Sequence, residues 1–312
     1  MCECSIIHTH THKVMEHLER DLHPRAHPAP ITIVDLCSGF GYLSMFLSEL
    51  LPTSRVGKIV LLDKAWPMHS QDAASAGQIN PQHLFLDGWP IRMTTSKNNM
   101  KTPAGRRSIL KHVLEPSPGP VILLGVHLCG QLSVRAIEMY NTLPKATMLA
   151  LKPCCLPQLW AGMPNTVWTF ANGTSMDLES VGINGRFVKN VWRGPPRATL
   201  QHKFGCWCDG LYRGIACPPA AASGEGRGGC GEGRGHGTIV ESEGRGQAEG
   251  PEMGVQEGRK ESEVCDLWDY GGDHYQNRFL WAYKALGSFA LPGGPCEDEE
   301  EGLGDWGDEG NG

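Results

Sequence analysis

No stretch of this chain is both long and apolar enough to cross a membrane; the longest apolar runs, such as residues 120–126, are strand-length. The first residues carry no apolar core of a secretory signal, and their His8-Thr9-His10-Thr11-His12 repeat reads as a disordered segment rather than a metal site. A cytoplasmic or nuclear protein is expected, with an organellar address left open. The 12 cysteines are scattered through expected strands and turns and lack the spacing of a small disulfide scaffold, so reduced intracellular thiols are expected. Large apolar residues are nearly missing from residues 218–262, a Gly/Glu/Arg-rich segment that cannot bury enough surface to order itself. Basic residues are absent from residues 296–312, which carry a net charge of −8. A hydrophobic content of 40% is low for 312 residues, so one domain with appendages is expected in place of two domains.

What is present begins with residues 31–44. The apolar run Ile31-Thr32-Ile33-Val34 meets Asp35, then a small-residue turn with Cys37, Ser38, Gly39 and Gly41, then the amphipathic stretch Tyr42 to Leu51. Strand, glycine turn and helix in that order form the first unit of a nucleotide-binding α/β domain. The dinucleotide pattern G-x-G-x-x-G fails here, because Ser44 stands where the third glycine belongs. Asp35 ahead of the turn repels a pyrophosphate and suits a cationic amino-acid moiety, which points to S-adenosylmethionine (SAM). Asp63 ends a second apolar strand, residues 58–63, where a carboxylate accepts hydrogen bonds from ribose hydroxyls. Residues 83–86 read as a third strand running into Asp87, placed to receive an adenine amino group. Each Asp alone has a plainer reading as a helix cap or turn residue. Three at successive strand ends support a cofactor site made of Asp35, Cys37, Ser38, Gly39, Gly41, Asp63 and Asp87.

Three strand-helix units are expected through about residue 115, after a short lead-in helix at 13–22. Further strands are expected at 120–126 and 146–151, helices at 131–143 and 199–216, and a late strand at 274–283 of the same sheet. The division expected is a partly disordered lead-in at 1–29 and a domain body at 30–217. A disordered insertion at 218–262, the rest of the domain at 263–286 and a disordered acidic tail at 287–312 follow. Residues 1–219 carry 21 Lys/Arg against 14 Asp/Glu, densest at Lys97, Lys101, Arg106, Arg107 and Lys111. A basic body with acidic appendages suits a polyanionic partner, and equally an ordinary solvated surface.

His127, Cys129, Cys154 and Cys155 fall at the ends of the two strands after the cofactor half, where a methyl acceptor would sit. His127 could take a proton from a hydroxyl or amine. Cys129 reads as a nucleophile, a packing residue or a metal ligand. With Cys206 and Cys208 there are enough ligand types for zinc, but no C-x₂-C or H-x₃-H spacing occurs among these residues, and no metal is expected.

Two boxes together resemble a known group. Asp35-x-x-Ser38-Gly39-x-Gly41-Tyr42-Leu43-Ser44 looks like the SAM motif of a methyltransferase-like superfamily. His127-Leu128-Cys129-Gly130 and the later Cys154-Cys155 resemble its H-L-C-G and C-C boxes. That group includes acceptor-stem tRNA 2′-O-methyltransferases and proteins similar to ribosomal RNA adenine methylases. Cys37 stands where the consensus has a glycine. Leu156-Pro157 stands where the tRNA enzymes continue into histidines, which places the chain with the less characterised branch. The resemblance implies an α/β, Rossmann-like class I methyltransferase fold, with a mostly parallel central sheet and a terminal antiparallel strand. It implies SAM as cofactor, RNA (tRNA among the options) as acceptor, and His127, Cys129, Cys154 and Cys155 as the catalytic side of the site. The competing readings are a methyltransferase for a protein side chain or small molecule, a non-catalytic SAM-fold interaction module, and, last, a Rossmann oxidoreductase.

Overall fold

The computed structural model describes residues 29–68, 74–85, 88–159, 167–189, 191–215, 261–266 and 278–284. Strand residues alternate between two apolar clusters, one on each face of a central sheet. Ile33, Ile59, Leu61, Ile122, Leu124, Met148 and Ala150 enter one, whereas Val34, Leu36, Val60, Leu62, Leu123, Leu149 and Leu151 enter the other. A strand buried on both faces needs apolar residues at every position, which is why these segments read as continuous apolar runs.

The strands are β1 (Ile31–Leu36), β2 (Val56–Asp63), β3 (Met93–Lys97), β4 (Val121–Cys129) and β5 (Ala146–Cys155), all parallel. Seven strands lie in the order β10-β11-β5-β4-β1-β2-β3, where β10 is Glu261–Asp266 and β11 is Arg278–Tyr283. β11 runs antiparallel to β5, and β10 antiparallel to β11. The expected α/β sheet with a late antiparallel strand is the fold observed. Helix α1 (Tyr42–Leu50) packs Leu47 into the first cluster. Helices α2 (Pro103–Ile109), α3 (Gln131–Thr142) and α5 (Arg197–Gly214) pack into the second. Strand order reverses between β1 and β4, which opens a crevice at their carboxyl ends.

One strand is corrected. His83 and Leu84 belong to a 3-10 turn, Pro81–Leu84, and Leu86 and Asp87 lie outside the described residues. Pro81 at the first position and the Asn80 side chain, which accepts from the Gln82 N–H at 3.0 Å, start a helical turn that a four-residue apolar run does not override. The third strand is instead Met93-Thr94-Thr95-Ser96-Lys97, an edge strand too polar to stand out by hydrophobicity. Between β2 and β3 the 3-10 turn is the helical element among the described residues.

The expected strands at 120–126 and 146–151 extend further, to Cys129 and Cys155, and the late strand occupies 278–283. The expected connection before α5 contains the hairpins β6–β7 (Val167–Thr169, Ser175–Asp177) and β8–β9 (Arg186–Val188, Val191–Arg193), with the short helix α4 (Leu178–Val181) between them. Trp168, Phe170 and Met176 from this region join the second cluster. β10 begins at Glu261, so its first two residues fall within the expected insertion at 218–262. The lead-in helix at 13–22, residues 274–277, nearly all of the insertion and the acidic tail at 287–312 lie outside the described residues. Among the described residues no helix is long and apolar enough to cross a membrane.

Candidate active site

The turn after β1 changes direction through three left-handed residues, Cys37 (φ 56°), Gly39 (φ 54°) and Gly41 (φ 82°). A Cβ on Gly41 would meet Leu61 Cδ2 at 2.1 Å, so this glycine lets the turn lie against β2. Among the described residues a Cβ on Gly39 would meet nothing within 4 Å, so its bare face borders open space at the crevice. Asp63, at the end of β2, ties this turn to the next. Its Oδ2 accepts from the Gly39 N–H at 3.3 Å and its Oδ1 from the Ala65 N–H at 2.8 Å. Two residues that the sequence reading missed secure the turn from outside. The buried Trp66 donates its indole N–H to Ser38 Oγ at 3.2 Å, and His83 Nε2 lies 2.7 Å from the Phe40 carbonyl oxygen. Only the folded arrangement of the β2–β3 connection brings them there.

Asp35 is buried and accepts the Ser44 hydroxyl at 2.8 Å. Burial pushes its carboxyl up to about 7, with the charge of Asp63 adding to the rise and the Ser44 bond opposing it. A folded-state value above the unfolded one means that the native chain holds an extra proton between about pH 4 and 7. The stability this supplies is complete below the unfolded value and is lost as pH rises through 7. Urea midpoints are therefore expected to fall from pH 5.5 to 8 in the parent chain, and to change less in Asp35→Asn, which is neutral at every pH. Equal slopes in the two proteins would refute it.

Cys37 carries a side chain through a conformation that favours glycine. Its thiol is half-buried against the second cluster and donates to Met100 Sδ at 3.6 Å. Burial, followed by the charges of Asp63 and Asp35, pushes the thiol up to about 12, so it stays protonated. A left-handed L-residue costs ~1–2 kcal/mol. Cys37→Gly is expected to cost less than ~0.5 kcal/mol or to stabilise, because relieved strain offsets glycine's ~0.5–1 kcal/mol of extra unfolded-chain entropy. A urea-midpoint loss equivalent to ~2 kcal/mol or more would show the thiol contact to matter more than the backbone.

Across the crevice, β4 and β5 end in two opposed irregularities. Pairing runs Val126↔Lys152, Leu128↔Pro153 and Cys129↔Cys155. His127 is thus an extra residue on β4 and Cys154 an extra residue on β5, as in β-bulges. His127 takes φ 60° and is exposed, whereas Leu128 is fully buried in the second cluster. Gly130, at φ 51° and ψ −126°, starts α3, and its N–H donates to the Cys155 carbonyl at 3.1 Å. Each residue of His127-Leu128-Cys129-Gly130 therefore has its own place in the strand end: His127 forms the bulge, Leu128 anchors it in the core, Cys129 presents an exposed thiol, and Gly130 admits the helix.

Adjacent strand residues point to opposite faces, but the bulge at Cys154 turns its sulfur and that of Cys155 the same way. Cys129 Sγ lies 3.1 Å from Cys154 Sγ and 3.6 Å from Cys155 Sγ, and the last two are 3.5 Å apart. Cys129 is held well below the ordinary thiol range by these two sulfur hydrogen bonds, with positive charge from His127 and Lys101 adding to the effect. The same contacts push Cys154 and Cys155 up. Cys206 and Cys208 are not part of this group: Cys208 is buried in the second cluster, and Cys206 lies 3.8 Å from His202.

The expected cofactor residues Asp35, Cys37, Ser38, Gly39, Gly41 and Asp63 thus gather around one turn, while Asp87 lies outside the described residues. A model of a methyltransferase domain family matches residues 5–161, half of the chain, and this span includes both the glycine turn and the β4–β5 bulges. No curated protein matches the chain. The residues matched are those that build both walls of the crevice, and the chain belongs to this family: it is a methyltransferase.

Proposed function

We propose that the chain transfers the methyl group of SAM to RNA. The observation that carries the cofactor assignment is the open face of Gly39 beside the Asp63 carboxylate, at the point where strand order reverses. Each Asp63 oxygen spends one lone pair on a backbone N–H, which leaves acceptor capacity for ribose hydroxyls. Gly39 and Gly41 shape the methionine pocket, with Cys37 and Ser38 forming the turn. Asp35 acts through Ser44 and the turn rather than by contact, since it is buried. Asp87 takes the adenine amino group. SAM supplies an electrophilic sulfonium methyl. The protein's part is positioning donor and acceptor in line, while His127, exposed on its bulge, takes the acceptor's proton. Cys129, Cys154 and Cys155 line the acceptor side.

RNA is favoured by charge. Lys97 ends β3, Arg106 and Arg107 lie on α2 and Lys111 on the π-helical turn that follows it. Lys101, in the loop before α2, is close enough to the crevice for its charge to act on both Cys37 and Cys129. The resemblance to RNA-modifying enzymes points the same way.

Calorimetric titration with SAM and with S-adenosylhomocysteine tests the cofactor; micromolar saturable binding is expected, and none by folded protein would refute it. Titration of structured RNA in ~50 and ~200 mM salt tests the acceptor. Affinity is expected to fall at least ~10-fold between them, because Lys and Arg release counterions from the phosphates. Absent RNA binding would leave a protein side chain or small molecule as the acceptor.

A further inference from the structure

We propose that Cys129, Cys154 and Cys155 form a zinc site, with three thiolate ligands and a fourth position open to the crevice. Among the described residues this is the group of three metal-ligating side chains whose ligand atoms lie within 4.8 Å of one another. Spacing along the chain conceals it, because the parallel pairing of β4 and β5, not a knuckle or loop, brings Cys129 to Cys155.

The geometry suits a soft d10 cation. Zinc–sulfur bonds of ~2.3 Å in a tetrahedral site place the sulfurs roughly 3.8 Å apart. Of the three separations here, those of 3.5 and 3.6 Å need to open by ~0.2–0.3 Å and that of 3.1 Å by ~0.7 Å. The ion would then sit slightly off the plane of three sulfurs, the half of a tetrahedron that leaves one vertex for water or a substrate atom. A disulfide would use two of these sulfurs and strand the third, whereas one cation employs all three. Cys129 and Cys155 are exposed, which provides an entry path. The rigid ends of two buried strands hold the ligands, and the Gly130 N–H to Cys155 carbonyl bond fixes the end of one to the start of α3. Three thiolates around a divalent ion leave one net negative charge, which the Lys101 ammonium, close enough for its charge to act on Cys129, offsets.

The reduced, metal-free full-length chain is titrated with zinc alone against a chromogenic chelator. One equivalent more is expected to bind to the parent than to Cys129→Ser/Cys155→Ser, tighter than micromolar. Equal uptake by the two proteins would overturn the site, since any zinc would then be held elsewhere, for example by the N-terminal histidines. Alkylation with mass spectrometry of the unmutated chain avoids any folding defect of the variant. Zinc is expected to slow modification of Cys129, Cys154 and Cys155 at least ~10-fold and to leave Cys206 unchanged. Unaltered rates at the three cysteines would refute the proposal regardless of whether the chain methylates anything.

Discussion

Replacing Asp63 by Ala is expected to weaken SAM binding at least ~100-fold. The carboxylate does two things at once. It joins the turns after β1 and β2 by accepting from Gly39 and Ala65, and under the proposed function its remaining lone pairs serve the ribose. Hydrogen bonds to a charged group contribute ~1.5–3 kcal/mol each. Losing two to the ligand amounts to ~3–6 kcal/mol, and every ~1.4 kcal/mol is a factor of ten. The backbone bonds matter less to stability, because Asp63 is only partly buried and water can replace it. Thermal stability should therefore drop little while affinity collapses. Asp63→Asn, which keeps one acceptor oxygen but no charge, should fall between the two. Calorimetry measures all three proteins; an alanine variant within threefold of the parent would eliminate Asp63 as the ribose ligand and remove the main support for SAM.

What the sequence revealed and what it hid divide along a physical line. The β1–turn–α1 unit was legible because its determinants are local: an apolar strand, glycines at left-handed positions and an amphipathic helix follow one another within residues 31–50. The places of Asp35 in β1 and Asp63 at the end of β2 were legible for the same reason. β3 was misplaced because an edge strand such as Met93–Lys97 needs only one apolar anchor, whereas residues 83–86 looked apolar enough to be a strand although His83 and Leu84 close a 3-10 turn. The bulges at His127 and Cys154 depend on how β4 and β5 register against each other, and no window of sequence contains that information. The thiol cluster follows from the bulges, so ligand spacing along the chain does not betray it. His83 and Trp66 were missed for an analogous reason, since both act on the glycine turn across the chain.

The two glycines of that turn should separate stability from binding. Gly41→Ala is expected to destabilise the chain by ~2–5 kcal/mol. A methyl at φ 82° carries a left-handed penalty of ~1–2 kcal/mol and would sit 2.1 Å from Leu61 Cδ2. Leu61 is fully buried, so its methyl cannot swing into water, and overpacking of this kind adds ~1–3 kcal/mol. Gly39→Ala carries the same backbone penalty at φ 54° but meets nothing within 4 Å, so its urea midpoint should move by only ~1–2 kcal/mol equivalents. Its methyl instead enters the space beside Asp63 that the proposed function assigns to the methionine part of SAM, and affinity should fall at least ~10-fold. Urea denaturation and SAM titration of both variants check the contrast. If Gly39→Ala bound SAM as the parent does, the open face of the turn would not be the cofactor's seat. Were Gly41→Ala as stable as the parent, the turn would lie further from β2 than the Leu61 contact requires.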